Sequence, residues 1–209
     1  MPDGVIDDYD KTNIGSPMPK FTFGWTNTFR YKNFDLSVFI NGSYGNKVYN
    51  YLSMKLTHMN SPWTNQLNAV NGRAQLVPIN PNKVYEDGTM WYNDVSNVMV
   101  ANPGASIPRA TINDPNDNDR ISDRYIEDGS YIRLKNISLG YTFPKKTIDK
   151  LGLSNLRIYA NIQNLLTITG YDGYDPEIGA STSSVNVYGL DNGRYPSPTV
   201  YSFGLNVSF

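Results

Sequence analysis

TVYSFGLNVSF, residues 199–209, places Tyr201, Phe203, Leu205, Val207 and Phe209 at every second position, with Ser202, Gly204, Asn206 and Ser208 between them. A period of two marks a strand with one apolar and one wet face. At about 3.3 Å per residue and a tilt of about 40°, the stretch rises roughly 28 Å, close to the apolar band of an outer-membrane barrel. It ends on an aromatic residue, the side-chain type that sits at the rims of such barrels.

Upstream, the same alternation recurs four times. In 21–29 (FTFGWTNTF), Phe21, Phe23, Trp25 and Phe29 share one face. In 34–44 (FDLSVFINGSY), Phe34, Leu36, Val38 and Ile40 do so, and the short turn 30–33 between these runs predicts a hairpin. In 130–143 (SYIRLKNISLGYTF), Ile137, Leu139, Tyr141 and Phe143 are in phase, whereas Ile132 and Leu134 lie in the opposite phase. A bulge near Lys135–Asn136 would reconcile them. In 156–168 (LRIYANIQNLLTI), Leu156, Ile158, Ala160 and Ile162 alternate with polar neighbours. The fold expected is all-β and antiparallel, a transmembrane β-barrel segment of about five strands.

The connections have a sense. Residues 1–20 read as an acidic, then Pro-rich, loop; 45–129 and 169–198 are long, and 30–33 and 144–155 are short. Some helix is expected near 49–70, and one helical turn within 144–155. If Phe209 marks the periplasmic side, both short turns lie there and both long loops lie outside, as in outer-membrane barrels. Phe29, Phe34, Phe143 and Phe209 would then form the inner aromatic rim, with Phe21, Tyr44 and Tyr201 at the outer.

Composition narrows the class. The 209 residues are 39% hydrophobic and 18% charged, with 16 Tyr, 8 Phe, 3 Trp, 17 Gly and 13 Pro. Low charge with many aromatics argues against disorder, and no apolar run reaches the length of about 20 residues that a membrane helix needs. A net charge of −1 gives no case for nucleic acid. With no cysteine, disulfides, thiolate metal sites and Cys nucleophiles are excluded. MPDGVIDDYD has neither a basic nor an apolar region, so it is no signal peptide, and the chain is expected to be a C-terminal piece of something longer.

Four blocks carry a resemblance: IGSPMPKFTFGWTNTFRYKNFDLSVFINGSYGN (14–46), YIEDGSYIRLKNISLGYTFP (125–144), LRIYANIQNLLTITGYDGYDPE (156–177) and YSFGLNVSF (201–209). Together they resemble the C-terminal end of SusC/RagA-type TonB-dependent outer-membrane transporters. The resemblance implies a 22-stranded barrel with an internal plug, energised by the TonB complex. It also implies glycan or peptide uptake with a SusD-like surface lipoprotein, and Phe209 as a signal to the barrel-assembly machinery. The plug and the TonB-contacting segment would lie in an N-terminal part that these residues do not include. Five strands cannot close a barrel against lipid, so the chain by itself should not transport.

Catalytic chemistry finds little support. His58 is the sole histidine and sits in a polar loop. Asp175 and Glu177 are paired carboxylates with nothing in the sequence to hold them at a glycosidase separation. No enzyme activity and no cofactor are expected, apart from one calcium hypothesis. DGVIDDYD (3–10) spaces Asp3, Asp7 and Asp10 like the tail of a calcium loop, and NDPNDND (113–119) is similarly rich in oxygen. The plainer reading of both is solvated Asx turns. Trp63, Trp91, Tyr171, Tyr174 and Tyr188 are loop aromatics available for sugar stacking or lipoprotein docking, or equally for packing loop on loop. Asp35, Asn41, Arg157, Asn161 and Gln163 should face the lumen, and Arg157 there requires a partner. Two other classes remain open on sequence: a soluble all-β carbohydrate-binding or adhesion module, and an outer-membrane structural protein without transport.

Overall fold

The computed structural model describes residues 6–114, 116–178, 180–181 and 184–209. The chain divides into two compact units, Met1–Thr12 with Tyr51–Tyr125, and Asn13–Asn50 with Ile126–Phe209.

The second unit is built on one five-stranded antiparallel sheet. Its strands are β1 (Phe21–Tyr31), β2 (Phe34–Tyr44), β3 (Tyr131–Thr142), β4 (Asn155–Thr169) and β5 (Val200–Ser208), in spatial order of the chain. β1 runs two residues further into the turn than the alternation alone indicates, and β2 spans the stretch expected. Lys32, at φ 52°, and Asn33 make that turn, and the Asn33 carbonyl accepts from Thr142 N at 2.9 Å. The second short connection holds a helical turn at Lys145–Ile148, whose Ile148 is 2% exposed, and Gly152 closes it in the left-handed region at φ 68°.

Register makes the alternation of single strands into faces of a sheet. Trp25, Ile40, Leu134 and Leu166 lie in one cross-strand row, and Phe34, Tyr141, Ile158 and Leu205 in another. The rows stay apolar because β3 and β4 both add residues at the same level. β2 advances from Val38 to Ile40 where β3 goes from Ile137 to Leu134 and β4 from Ile162 to Leu166. Lys135 is the extra residue on β3, at the expected bulge. The irregularity on β4 centres on Asn164, at φ 52°, a conformation Asn tolerates better than most residues. Bulges of this kind bend the strand and increase its twist.

The apolar face is the exposed one. Phe203 is 84% exposed, Ile168 62%, Leu205 61% and Trp25 57%, while the buried apolar side chains of the described residues are Val48, Met54, Tyr125, Ile148 and Tyr171. A water-soluble sheet would turn such a face inward. Aromatic contacts cluster at its two ends, Phe21 with Tyr44 at 5.4 Å and Phe34 with Tyr141 at 4.7 Å between ring centres.

The long connections carry local structure of their own. In the second unit, Lys47–Asn50 pairs antiparallel with Ile126–Asp128 and parallel with Leu190–Asp191. In the first unit, a helix spans Tyr51–Thr57 and a hairpin pairs Leu76–Pro78 with Val98–Val100. No helix among the described residues is long and apolar enough to cross a membrane, which says nothing about strands.

Candidate functional site

The polar face of the sheet gathers the charged and amide side chains. Near the short-turn end, Arg30, Asp35, Gly140, Tyr159 and Gly204 form one row across all five strands. Arg157 Nε and Nη2 donate to Asp35 Oδ1 and Oδ2 at 3.1 and 2.6 Å, a bidentate pair. The pair bridges β4 to β2 across the intervening strand, and this is where Gly140 matters. A Cβ there would stand 2.6 Å from Asp35 Oδ1 and 2.7 Å from Arg157 Cζ. Two aromatic rings lie over glycines in the same manner: Tyr159 against Gly204, and Phe39 3.2 Å from the Cβ position of Gly24. Such rings cover backbone that a glycine would otherwise leave bare.

Midway, Ser37, Ser138, Asn161 and Ser202 make a hydroxyl-and-amide row, and Asn136 pairs with Gln163 in the next. Asn41 lies opposite Gly24 and Arg133.

At the long-loop end, Arg133 is 2% exposed and fully engaged. It donates to Thr167 Oγ1 at 2.8 Å, to Glu177 Oε2 at 2.7 Å and to Asp175 Oδ1 at 2.5 Å. Lys135, supplied by the bulge, reaches the same Glu177 oxygen at 2.8 Å. Asp175 also accepts from Ser197 N at 3.0 Å and Glu177 N at 2.9 Å. Burial raises the Asp175 pKa, but the Ser197 and Arg133 hydrogen bonds outweigh it and hold the carboxyl below its ordinary range. The loop after β4 is thereby clamped onto the polar end of β3.

Tyr171 is 5% exposed, and its hydroxyl donates to Asp191 Oδ2 at 2.6 Å. Burial and that bond push its pKa far upward. Asp191 Oδ1 in turn accepts from Gly193 N and Arg194 N at 2.9 and 3.2 Å.

A sheet with its greasy face outward and a charged, amide-lined face opposite is the arrangement of a membrane barrel wall. Comparison with known proteins agrees. No family model matches the chain. It is 36% identical over 211 residues to TonB-dependent receptor P3 of Formosa agariphila, covering 99% of this chain and 18% of that protein. It is 29% identical over 209 residues to TonB-dependent receptor SusC of Bacteroides thetaiotaomicron, covering 99% of this chain and 17% of that protein. Along 99% of its length its relatives are TonB-dependent receptors, SusC among them. It spans about a fifth of the length of the curated relatives it matches. In structure, it resembles the RagAB peptide importer in its open-open state, with a TM-score of 0.62 at 19% identity over 93% of this chain and 18% of that one. At that identity the likeness speaks for the fold.

Asp35, Asn41, Arg157, Asn161 and Gln163 share one face, and Arg157 has its partner in Asp35. Trp63 is 92% exposed, Tyr174 66% and Tyr188 52%. Trp91 is half-buried, edge-on to Tyr92 at 5.7 Å. Tyr171 departs from its reading as a docking aromatic: it is an internal strut, because its ring is buried and its hydroxyl engaged. Of the proposed calcium ligands, Asp3 lies outside the described residues. Asp7 and Asp10 cap a short helical turn: Asp7 Oδ1 accepts from Tyr9 N at 2.8 Å, and Asp10 Oδ2 from Asp7 N at 2.9 Å.

Two features escaped the sequence reading. The clamp at Arg133 joins residues more than 40 positions apart, and the bulge that adds Lys135 was its sole local trace. His58 Nε2 meets Asp114 Oδ2 at 2.9 Å, and Asp119 Oδ2 lies 3.9 Å from Nδ1. Asp114 also accepts from Asn118 N and Nδ2, both at 2.6 Å. Burial raises the Asp114 pKa, yet the bonds from Asn118 and His58 bring it below its ordinary value. No local pattern signals a contact across 56 residues.

Proposed function

We propose that this segment forms part of the barrel wall of a TonB-dependent outer-membrane importer of glycans or peptides. The observation that carries the reading is the single apolar face, in register from strand to strand, with its large side chains exposed or half-exposed. It lies against lipid, and the opposite face, with Arg157–Asp35 at its inner end and the Arg133 clamp at its outer end, lines the lumen or touches the plug. The segment supplies five strands of a barrel of 22, and the TonB complex acts through a part beyond these residues. A SusD-like lipoprotein docks over the long loops, where Trp63, Tyr174 and Tyr188 are exposed. The barrel-assembly machinery reads the strand ending at Phe209. Its work is binding, passage and gating, without catalysis.

A concavity of about 560 Å³ between Phe34, Tyr141, Ile158 and Phe203 opens on the apolar face. It suits acyl chains rather than a polar cargo.

The chain contains no cysteine, so single cysteines report cleanly. In the full-length protein reconstituted in bilayers, cysteines at Ser202 and Asn206 should react with a membrane-impermeant maleimide once the lumen is opened by urea. Cysteines at Phe203 and Leu205 should stay protected. Equal labelling of both sets would refute the assignment of faces.

A further inference from the structure

We propose that the short-turn end of the sheet binds a diacyl phospholipid with an anionic headgroup, an acyl chain in the groove beside Phe34 and the phosphate at Lys32. The proposal rests on the barrel-wall reading, which sets this end of the sheet at the periplasmic leaflet. The last apolar row before the turns crosses all five strands as Tyr31, Phe34, Tyr141, Ile158 and Leu205. The row behind it is Phe29, Leu36, Leu139, Ala160 and Phe203, in which Ala160 is the small member. Ala160 lines the groove of about 560 Å³, so the bulk missing from its row is what opens the face there. A groove touches an acyl chain on several sides where a flat wall touches it on one, and each contact adds dispersion energy.

Phe34 also lines a second hollow of about 540 Å³ at the turn, together with Arg30, Lys32, Thr142 and Pro144. Lys32 Nζ stands 5.3 Å from the centre of the Tyr31 ring, which puts its ammonium at the end of the last apolar row. Lys145 and Lys146 follow Pro144 and are exposed. The two short turns, 30–33 and 144–155, carry Arg30, Lys32, Lys145, Lys146 and Lys150 against a single acid, Asp149. Among the described residues none of these cations has an ion-pair partner. Asp35 lines the same hollow, but its carboxylate is taken by Arg157.

Charge selects the headgroup and the leaflet. The long connections, residues 1–20, 45–129 and 169–198, have the opposite balance, with 17 Asp and Glu against 10 Lys and Arg. The net charge of −1 is therefore the sum of a basic end and an acidic end. An anionic headgroup is drawn to the turns and repelled by the loops. A zwitterionic headgroup carries its own ammonium beside the phosphate, which weakens that attraction. Free phosphate would find the cations but gain nothing from the groove. A diacyl lipid of net negative charge uses both.

The test is native mass spectrometry of the full-length protein in detergent, titrated with phosphatidylglycerol and separately with phosphatidylcholine of the same acyl chains. Phosphatidylglycerol should be retained more tightly, by about fivefold for each cation that reaches its phosphate. The combined variant Lys32→Gln, Lys145→Gln, Lys146→Gln should lose that preference, and the same three positions changed to Arg should keep it. Ala160→Leu fills the groove with every cation in place and should weaken retention of phosphatidylglycerol. Lys83→Gln, in the acidic loops, should behave as the wild type. Heat-shifted gel mobility shows that each variant is folded before it is scored. Four results would overturn the proposal: equal retention of the two lipids, an unchanged preference in the Gln variant, unchanged retention in Ala160→Leu, or displacement of the lipid by inorganic phosphate. The wall assignment is judged separately by maleimide labelling. Apolar-face cysteines that stay protected, with no lipid preference, would remove only the lipid site. Equal labelling of both faces would remove the wall reading itself.

Discussion

Gly140→Ala is a small change with a large expected effect. The new methyl would stand 2.6 Å from Asp35 Oδ1 and 2.7 Å from Arg157 Cζ, and closer still to Arg157 Nη2, where real Cβ atoms do not come within 3.0 Å. β3 cannot give way, being paired on both sides, so the Arg157–Asp35 pair must move off its two hydrogen bonds. A charged hydrogen bond is worth about 1.5–3 kcal/mol, and side chains 25% and 30% exposed recover part of that from water. Alanine also gains roughly 0.5–1 kcal/mol over glycine in a strand. The net expectation is a loss of about 1–3 kcal/mol. The assay is urea unfolding of the full-length protein in lipid, followed by heat-shifted gel mobility. Gly24→Ala is the control, since its Cβ meets only the edge of Phe39 at 3.2 Å, and a ring can tilt. The decisive background is Asp35→Asn with Arg157→Gln, in which Gly140→Ala should cost little. If it costs as much there as in the wild type, the glycine is not making room for the pair.

Four further outcomes follow from the geometry. The Asp175 carboxyl titrates below its ordinary 3.8, so its contribution to the clamp is complete above about pH 4 and is lost as pH falls through the folded value; hydrogen exchange over 170–178 should rise only on acidification below that point. Tyr171→Phe removes one bond to the buried Asp191 and should cost about 1–3 kcal/mol locally, read as faster exchange over 188–194. Deletion of Phe209 in the full-length protein should lower its level in the outer membrane, and normal insertion would contradict the assembly role. Chelation tests the calcium hypothesis: if Asp7 and Asp10 serve only to cap their own turn, EDTA leaves the melting temperature unchanged, whereas a drop reversed by Ca²⁺ establishes a calcium site.

Which elements exist, and which face of each is apolar, follows from local alternation alone. A strand's side chains must point to opposite sides, so the face of Leu205 is written in its neighbours. The phase break between Leu134 and Ile137 likewise required an extra residue, and Lys135 is that residue. The β4 irregularity left a fainter mark, the adjacent Leu165 and Leu166 after Asn164. Arg157 was expected to need a partner, since a charge on a barrel wall cannot stand alone. That the partner is Asp35, reached over a glycine on the strand between, depends on register across three strands.

The loops mark the boundary between the two kinds of information. Tyr171 and Tyr174 are three residues apart in one aromatic, glycine-rich stretch, yet one is buried against Asp191 and the other is exposed. The Arg133–Asp175–Glu177 clamp and the His58–Asp114 contact join residues separated by tens of positions. Period-two alternation is a short-range constraint, so the sequence by itself determined the five long strands and their faces. Ion pairs and buried hydroxyls depend on which distant groups the folded chain brings within 3 Å, and only the tertiary structure decided those.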